Sequence, residues 1–329
     1  MSEPLIRMIR SLCLSLSLSM AIASSDAADW EELPPLPEPN GGFLCGVVDS
    51  RIVVVGGTNW EGGTKHWLRS VHEYDPARRL WTKRPDLREG PVAYGVAIQT
   101  GEGFRFIGGS DGTKALKAIG TIEGARIHFA SVPELPSALV LAVGGAIGGS
   151  YVIVGGTDDA ANVGGVQQTT YILELAGQQW TARRMADYPG KPVAVLASAV
   201  IGDELFVFGG MNADPAGTVF NTTDAFAFSA TRNSWRKLQP LAVATRGMSA
   251  VSLDEQNIYL AGGFTEAFTT EAFFYDTKAN TYRPAKPLPY AAMVTLVRSG
   301  DYVYCVGGED RMKSRTDKFF RLPVAELLK

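Results

Sequence analysis

Cysteine and histidine are scarce in this chain, three of each among 329 residues. Cys13, Cys45 and Cys305 are too few for a disulfide scaffold. His66, His72 and His128 show neither i,i+4 nor clustered spacing, so no metal site is expected, and no convergent Tyr/Cys/His set suggests a copper radical centre. The charge balance is also flat, with 31 Lys and Arg against 34 Asp and Glu, a formal net charge of −3. It offers no basic stripe of the kind nucleic acid requires. The longest apolar run, Leu12 to Ala23, is about a dozen residues, shorter than a membrane span. What remains is a chain with 46% hydrophobic residues, enough for a large packed core.

That short run reads as an export signal. Arg7 and Arg10 precede it, and Ala21-Ile22-Ala23 places small residues at the −3 and −1 positions of a cleavage site. Ser25-Asp26-Ala27 is a second cleavage site of the same kind, and Cys13 lacks the spacing of a lipoprotein box. Residues 1–25 are therefore expected to be removed, leaving 26–329 as the mature protein, bacterial and periplasmic or secreted.

The rest of the chain is organised by a recurring apolar strand closed by two glycines. Val53-Val54-Val55-Gly56-Gly57 is followed by copies ending at Gly108-Gly109, Gly155-Gly156, Gly209-Gly210, Gly262-Gly263 and Gly307-Gly308. Six copies at a period of about 50 residues predict kelch repeats, and hence an all-β, six-bladed β-propeller. Each repeat has four strand signals. Strand a is a small-residue run, such as Val92 to Ala97 or Met248 to Val251. Strand b carries the diglycine. Strand c is aromatic, as in Val71 to Asp75 and Phe273 to Asp276. Strand d starts at an aromatic residue and ends in a Pro/Leu pattern.

Trp81-x-x-x-Pro85-x-Leu87 and Phe129-x-x-x-Pro133-x-Leu135 give the clearest strand d, with looser copies at Trp180, Trp235 and Tyr282. Large aromatics there would fill the space between blades, and the glycines would let backbone pack where a Cβ would clash. The sixth diglycine is followed by a strand c, Phe319-Phe320-Arg321-Leu322, with no strand d after it. Trp30-x-x-x-Pro34-x-Leu36 has that pattern and no blade before it. The N-terminal strand is thus expected to complete the last blade and remove a sheet edge. Cys45 and Cys305 then fall in adjacent blades; an exported protein permits a disulfide, and two buried free thiols are the favoured alternative.

Residues just after each diglycine should converge on the central channel. The first and last of these loops carry the most chemistry, and they belong to neighbouring blades. The last runs from Glu309 to Asp317 and includes Arg315. The first, Asn59 to Trp67, brings Trp60, Glu61, Lys65 and Trp67 together on a Gly-bearing loop resembling a carbohydrate-binding surface. A Glu/Arg pair six residues apart could equally be a surface ion pair, worth under about 1 kcal/mol.

Gly307-Gly308-Glu309 through Arg315-Thr316-Asp317 into Phe319-Phe320 resembles the segment of the bacterial sialic acid mutarotases (N-acetylneuraminate epimerases) that carries their proposed catalytic Glu and Arg. The first loop, Gly57 to Trp67, is similar to a Trp/Glu/Gly/Lys-rich stretch of the cyclically permuted mutarotases in that family. Here the Glu/Arg blade is last and the Asn59–Lys65 blade first, the neighbour relation a circular permutation preserves.

The resemblance implies an exported kelch isomerase of sialic acid, with Glu309 and Arg315 catalytic, a small-molecule sugar acid as partner, and no cofactor. Opening a 2-keto pyranose needs a proton taken from the anomeric hydroxyl and one given to the ring oxygen. Glu309 suits the proton transfer. Arg315 suits the substrate carboxylate or charge developing on oxygen. Asn59, Lys65 and Arg246 are candidate binders of carboxylate and N-acyl oxygens, and Trp60 and Trp67 candidate stacking surfaces. A non-catalytic exported kelch module that binds a glycan or a protein is the competing class, because many propellers only bind.

Overall fold

The structure, a computed structural model, describes residues 29–329 apart from 125, 131–134, 160–162, 177–178, 192 and 215. The export segment at residues 1–25 and Pro133 of the second strand d motif lie outside the described residues.

Among the described residues there are six four-stranded antiparallel sheets and two small hairpins. The six sheets are the blades of a β-propeller. In blade one the order is Leu44–Val48, Arg51–Val55, Val71–Asp75 and Leu80–Arg84, strands a to d from the channel outward. Strand b is buried on both sides, with Ile52 to Val55 at most 1% exposed, because neighbouring blades cover both faces of each sheet. Strand a is small for a related reason. The innermost strands crowd together, and a methyl on Gly46 or Gly145 would collide with Phe104 or Val200 of the next blade. In blade two, strand a is shorter than the sequence suggested. Val92 to Gly95 form the approach to it, and the strand itself is Val96–Gln99.

The diglycine is an inter-blade latch. Gly56 and Gly57 both have positive φ, 62° and 101°, and a Cβ on Gly56 would collide with the Val92 carbonyl of the next blade. That same carbonyl accepts a 2.8 Å hydrogen bond from the Gly57 N–H. The arrangement repeats around the ring, with Gly109, Gly156, Gly210 and Gly263 donating to Leu139, Val193, Thr245 and Ala292. The sixth latch runs from Gly308 to Asn40 at 2.8 Å, so the last repeat locks onto the N-terminal segment.

Closure is completed by Glu31–Glu32, which pairs antiparallel with Phe319–Pro323 as the outer strand of blade six. The strand d aromatics tie blades together at their polar ends. The Trp30 indole donates to Pro287 O at 2.8 Å, Trp81 to Pro34 O at 2.9 Å and Trp235 to Ala186 O at 2.9 Å, while the Tyr282 hydroxyl donates to Gln239 O. Each bond reaches the preceding blade. Cys45 and Cys305 are both free thiols.

A second ring of bonds lines the channel. Gly42, Tyr94, Leu141, Val195 and Gly247 occupy equivalent positions ahead of strand a in blades one to five, all left-handed, with φ between 56° and 69°. Each N–H from Tyr94 onward donates to the carbonyl of its predecessor at 2.7–3.0 Å. Blade six departs from the pattern. Its strand a, Met293–Ser299, has a register shift between Met293 and Thr295, and its strand b runs through the diglycine to Glu309. Bulges of this kind re-aim side chains beside functional sites.

Candidate active site at the channel mouth

The residue after each diglycine bridges back to the residue beside the channel ring. These pairs are Gly41–Thr58, Ala93–Ser110, Val140–Thr157, Ala194–Met211 and Arg246–Phe264, and in blade six Met293–Glu309. The convergence expected from sequence is therefore built by backbone pairing. Five of the six positions hold Thr, Ser, Thr, Met and Phe. Only the bulged blade supplies a charge, Glu309.

Glu309 lines a cavity of about 440 Å³ together with Tyr94, Arg246, Met312 and Arg315, a size within the usual range for small-molecule sites. A second cavity, about 390 Å³ between blades four and five, is walled by groups such as Leu241, Phe273 and Tyr282, with Glu271 its one charged side chain. It lacks convergent chemistry.

Arg315 is the hub. Its side chain is 5% exposed, against 33% for Glu309, and its Nη1 stands 3.2 Å from Glu309 Oε2. Nη1 also donates to Ser314 O at 2.6 Å, Nη2 donates to the Tyr94 Oη at 3.0 Å, and Nε donates to Thr58 Oγ1 at 3.3 Å. A buried guanidinium with partners on all three nitrogens is fixed in one orientation. The alternative reading of the pair, a solvated surface contact, does not describe this arrangement. Arg246 reaches the same cavity. Its Nη1 donates to Asn221 Oδ1 at 2.7 Å, and its guanidinium lies 4.4 Å from the Phe264 ring centroid. Burial pulls its pKa below the ordinary arginine value, opposed by the charge of Glu309. Arginine remains cationic under such a shift, so one carboxylate faces two guanidinium groups. The cavity is electropositive in a chain of net negative charge.

The first loop is not open. Thr58–Glu61 and Thr64–Trp67 form a hairpin turned at Gly62 and Gly63, both at positive φ. Its pairs Thr58–Trp67 and Trp60–Lys65 share one face, since residues alternate along each strand. That face meets Tyr94. The Lys65 ammonium lies 4.6 Å from the Tyr94 ring centroid and 4.8 Å from that of Trp67, and Trp67 packs edge-on to Tyr94 at 5.6 Å. Asn59 and Glu61 are on the opposite face. Of the sequence candidates, Glu309, Arg315 and Arg246 meet in the cavity, and Lys65 and Trp67 back its wall. Asn59 and Glu61 point to the other face of the hairpin, and Trp60, though on the face of Lys65 and Trp67, does not line the cavity.

Sequence reasoning missed Tyr94, which sits in an unremarkable small-residue run. It also missed the hairpin, for which two glycines between four-residue runs are the available signal. Tyr94 is half-buried, and the desolvation of its phenol pushes its pKa up. The Arg315 charge, followed by that of Lys65, outweighs this, and the phenol falls below the ordinary value of 10.0.

A six-bladed kelch propeller with a Glu/Arg/Tyr cluster at one end of its channel is thus the class these observations define. Residues 132–304, more than half of the chain, match the N-acetylneuraminate epimerase family, and residues 39–88 match the kelch motif. The chain belongs to the N-acetylneuraminate epimerase family. It is 23% identical over 235 residues to the N-acetylneuraminate epimerase of Salmonella typhimurium, covering 59% of this chain and 58% of that one. With the Vibrio cholerae enzyme of the same name it shares 27% over 141 residues, 41% of this chain and 34% of the relative. The Kelch-like protein terF of Aspergillus terreus is 24% identical over 276 residues, 79% of this chain and 56% of that protein. The chain spans about 58% of the length of the Salmonella relatives. The solved structure of YjhT superimposes with a TM-score of 0.70 at 13% identity, over 87% of this chain and 95% of that one, a likeness of fold.

Proposed function

We propose that this protein is a sialic acid mutarotase, an isomerase that accelerates α/β interconversion of N-acetylneuraminate or a closely related sugar acid. One observation carries the reading. Glu309, the only charged residue among the six post-diglycine positions, is held against the buried Arg315 in an electropositive cavity of sugar size. Glu309, the more exposed of the two, is the group that takes and returns a proton. Arg315 and Arg246 hold the carboxylate and stabilise negative charge on oxygen. Lys65, with Trp67, sets the electrostatics of the wall behind them. We further propose a cyclically permuted repeat order, with the Glu/Arg blade last and the hairpin blade first, and export after removal of residues 1–25.

The test is time-resolved proton NMR of α-N-acetylneuraminate freshly released by a sialidase. The protein should hasten appearance of the β anomer, and Glu309→Gln should slow it by about 10²-fold, the usual scale of general acid–base catalysis. The fold of that variant should survive, because Arg315 keeps Tyr94, Thr58 and Ser314 as partners. An unaltered anomer rate with the wild-type protein, accompanied by thermal stabilisation on adding the sugar, would leave a binding module in place of an enzyme.

A further inference from the structure

Ring opening moves two protons, and Glu309 accounts for one. We propose that Tyr94 is the second proton-transfer group of this site, the acid that delivers a proton to the ring oxygen while Glu309 takes one from the anomeric hydroxyl. This rests on the mutarotase reading.

Its placement is the first argument. Tyr94 is the one aromatic residue among the five left-handed channel positions, where the others are Gly42, Leu141, Val195 and Gly247. A bulky left-handed residue costs of order 1–2 kcal/mol, so the conformation has to be held. Here it is held from both sides, by Tyr94 N–H to Gly42 O at 2.7 Å and Leu141 N–H to Tyr94 O at 2.9 Å. Blade one yields space for the ring, since a methyl on Gly42 would collide with it. The phenol is thereby fixed in the wall shared with Glu309 and Arg315.

Its partners are the second argument. Tyr94 Oη accepts from Arg315 Nη2 and lies 3.0 Å from Thr58 Oγ1, while the Thr58 hydroxyl has Gly41 O as an alternative acceptor at 3.0 Å. Thr58 can therefore accept from the neutral phenol and turn to donate to the phenolate, so both protonation states have a partner. The charges facing Tyr94 are Arg315 from blade six and Lys65 from the blade-one hairpin, with Glu309 on the far side of Arg315. Two adjacent cations favour the phenolate, which makes the neutral phenol a stronger acid.

The step balances. The anomeric O–H breaks and its proton goes to Glu309. The bond from the anomeric carbon to the ring oxygen breaks, leaving its electron pair on that oxygen, which takes the Tyr94 proton as a carbonyl forms. Rotation of the open chain presents the other carbonyl face. Closure reverses both transfers, with no net oxidation.

The experiment follows the same NMR rate across pH for wild type, Tyr94→Phe and wild type carrying a fluorinated tyrosine at position 94 alone. A proton donor must be protonated, so the wild-type rate should fall as pH rises through the Tyr94 pKa. Fluorination, which lowers phenol pKa, should move that fall to lower pH. Tyr94→Phe should be slower by about 10²-fold and lack the fall. A structural role in positioning Arg315 would not move with fluorination, so an unmoved limb overturns the proposal even if Tyr94→Phe is slow or folds poorly. Full activity in Tyr94→Phe overturns it while the mutarotase reading stands. An inert wild type removes both.

Discussion

A methyl group on Gly41 would stand 2.7 Å from Arg315 Nε and closer still to its Cδ. Gly41 is the residue that bridges to Thr58, so the N-terminal segment both closes the ring and forms the bed on which the Arg315 side chain lies. The φ of Gly41 is not in the left-handed region, so alanine there meets a side chain without backbone strain. Gly41→Ala should displace Arg315 and lower kcat/KM by about tenfold or more, on the scale at which an ångström of misplacement costs up to about 10²-fold. Gly101→Ala, where a Cβ meets open space, should leave the rate unchanged. Equal kinetics for the two variants would show that Arg315 has room to spare.

Arg315→Lys keeps the charge and loses the fork. The three nitrogens of Arg315 reach Glu309, Tyr94 and Thr58 from one plane, which a single ammonium cannot reproduce. We expect KM for the sugar acid to rise by about tenfold, a loss of about 1.4 kcal/mol, read from NMR rates over a range of substrate concentrations. An unchanged KM would remove Arg315 from carboxylate binding.

Closing the propeller through Trp30 should be visible in stability. Trp30 is 8% exposed and packs with Leu288, Tyr290 and Leu322, in addition to its bond to Pro287 O. Trp30→Ala should cost about 3–5 kcal/mol. Trp30→Phe, which keeps the apolar ring and loses the indole donor, should cost about 1 kcal/mol. Urea unfolding checks both, and a Trp30→Ala midpoint equal to wild type would mean the ring does not depend on this strand.

Stability should decline on the alkaline side. Burial pushes the Cys45 and Cys305 thiols from 9.0 up to about 12 and the Tyr275 phenol from 10.0 up to about 12, and it raises Tyr259 and Tyr282 further. Folded-state pKa values above the unfolded ones mean that unfolding releases protons, so stability is lost as pH rises. The melting temperature should fall between pH 9 and 12, with Cys305, fully buried, unreactive toward thiol reagents until that fall begins. A melting temperature flat to pH 12 would contradict the burial of these groups.

The repeat architecture was legible because its signals are local. A diglycine after an apolar strand and an aromatic opening strand d each report one blade, and the orphan Trp30 motif completed the count by pattern alone. Glu309 and Arg315 were legible because they stand six residues apart on one loop. Tyr94 was not. Nothing in Val92 to Ala97 distinguishes a left-handed phenol aimed at a channel from a strand residue, since its partners Arg315, Thr58 and Lys65 lie in other blades. Asn59 and Glu61 were grouped with Lys65 by proximity in sequence, and hairpin alternation put them on the opposite face.

Sequence by itself determined the number of blades, the closing strand and the blade that carries the charge, because these follow from residue type repeated at a fixed interval. Tertiary structure alone decided which of the charged and aromatic candidates meet. Ring closure brings residues 41, 58, 94, 246, 309 and 315 to one end of the channel, and the bulge at Met293–Thr295 lets blade six present Glu309 there. Those are relations between strands, set by backbone bonds across blade boundaries, and no spacing along one chain encodes them.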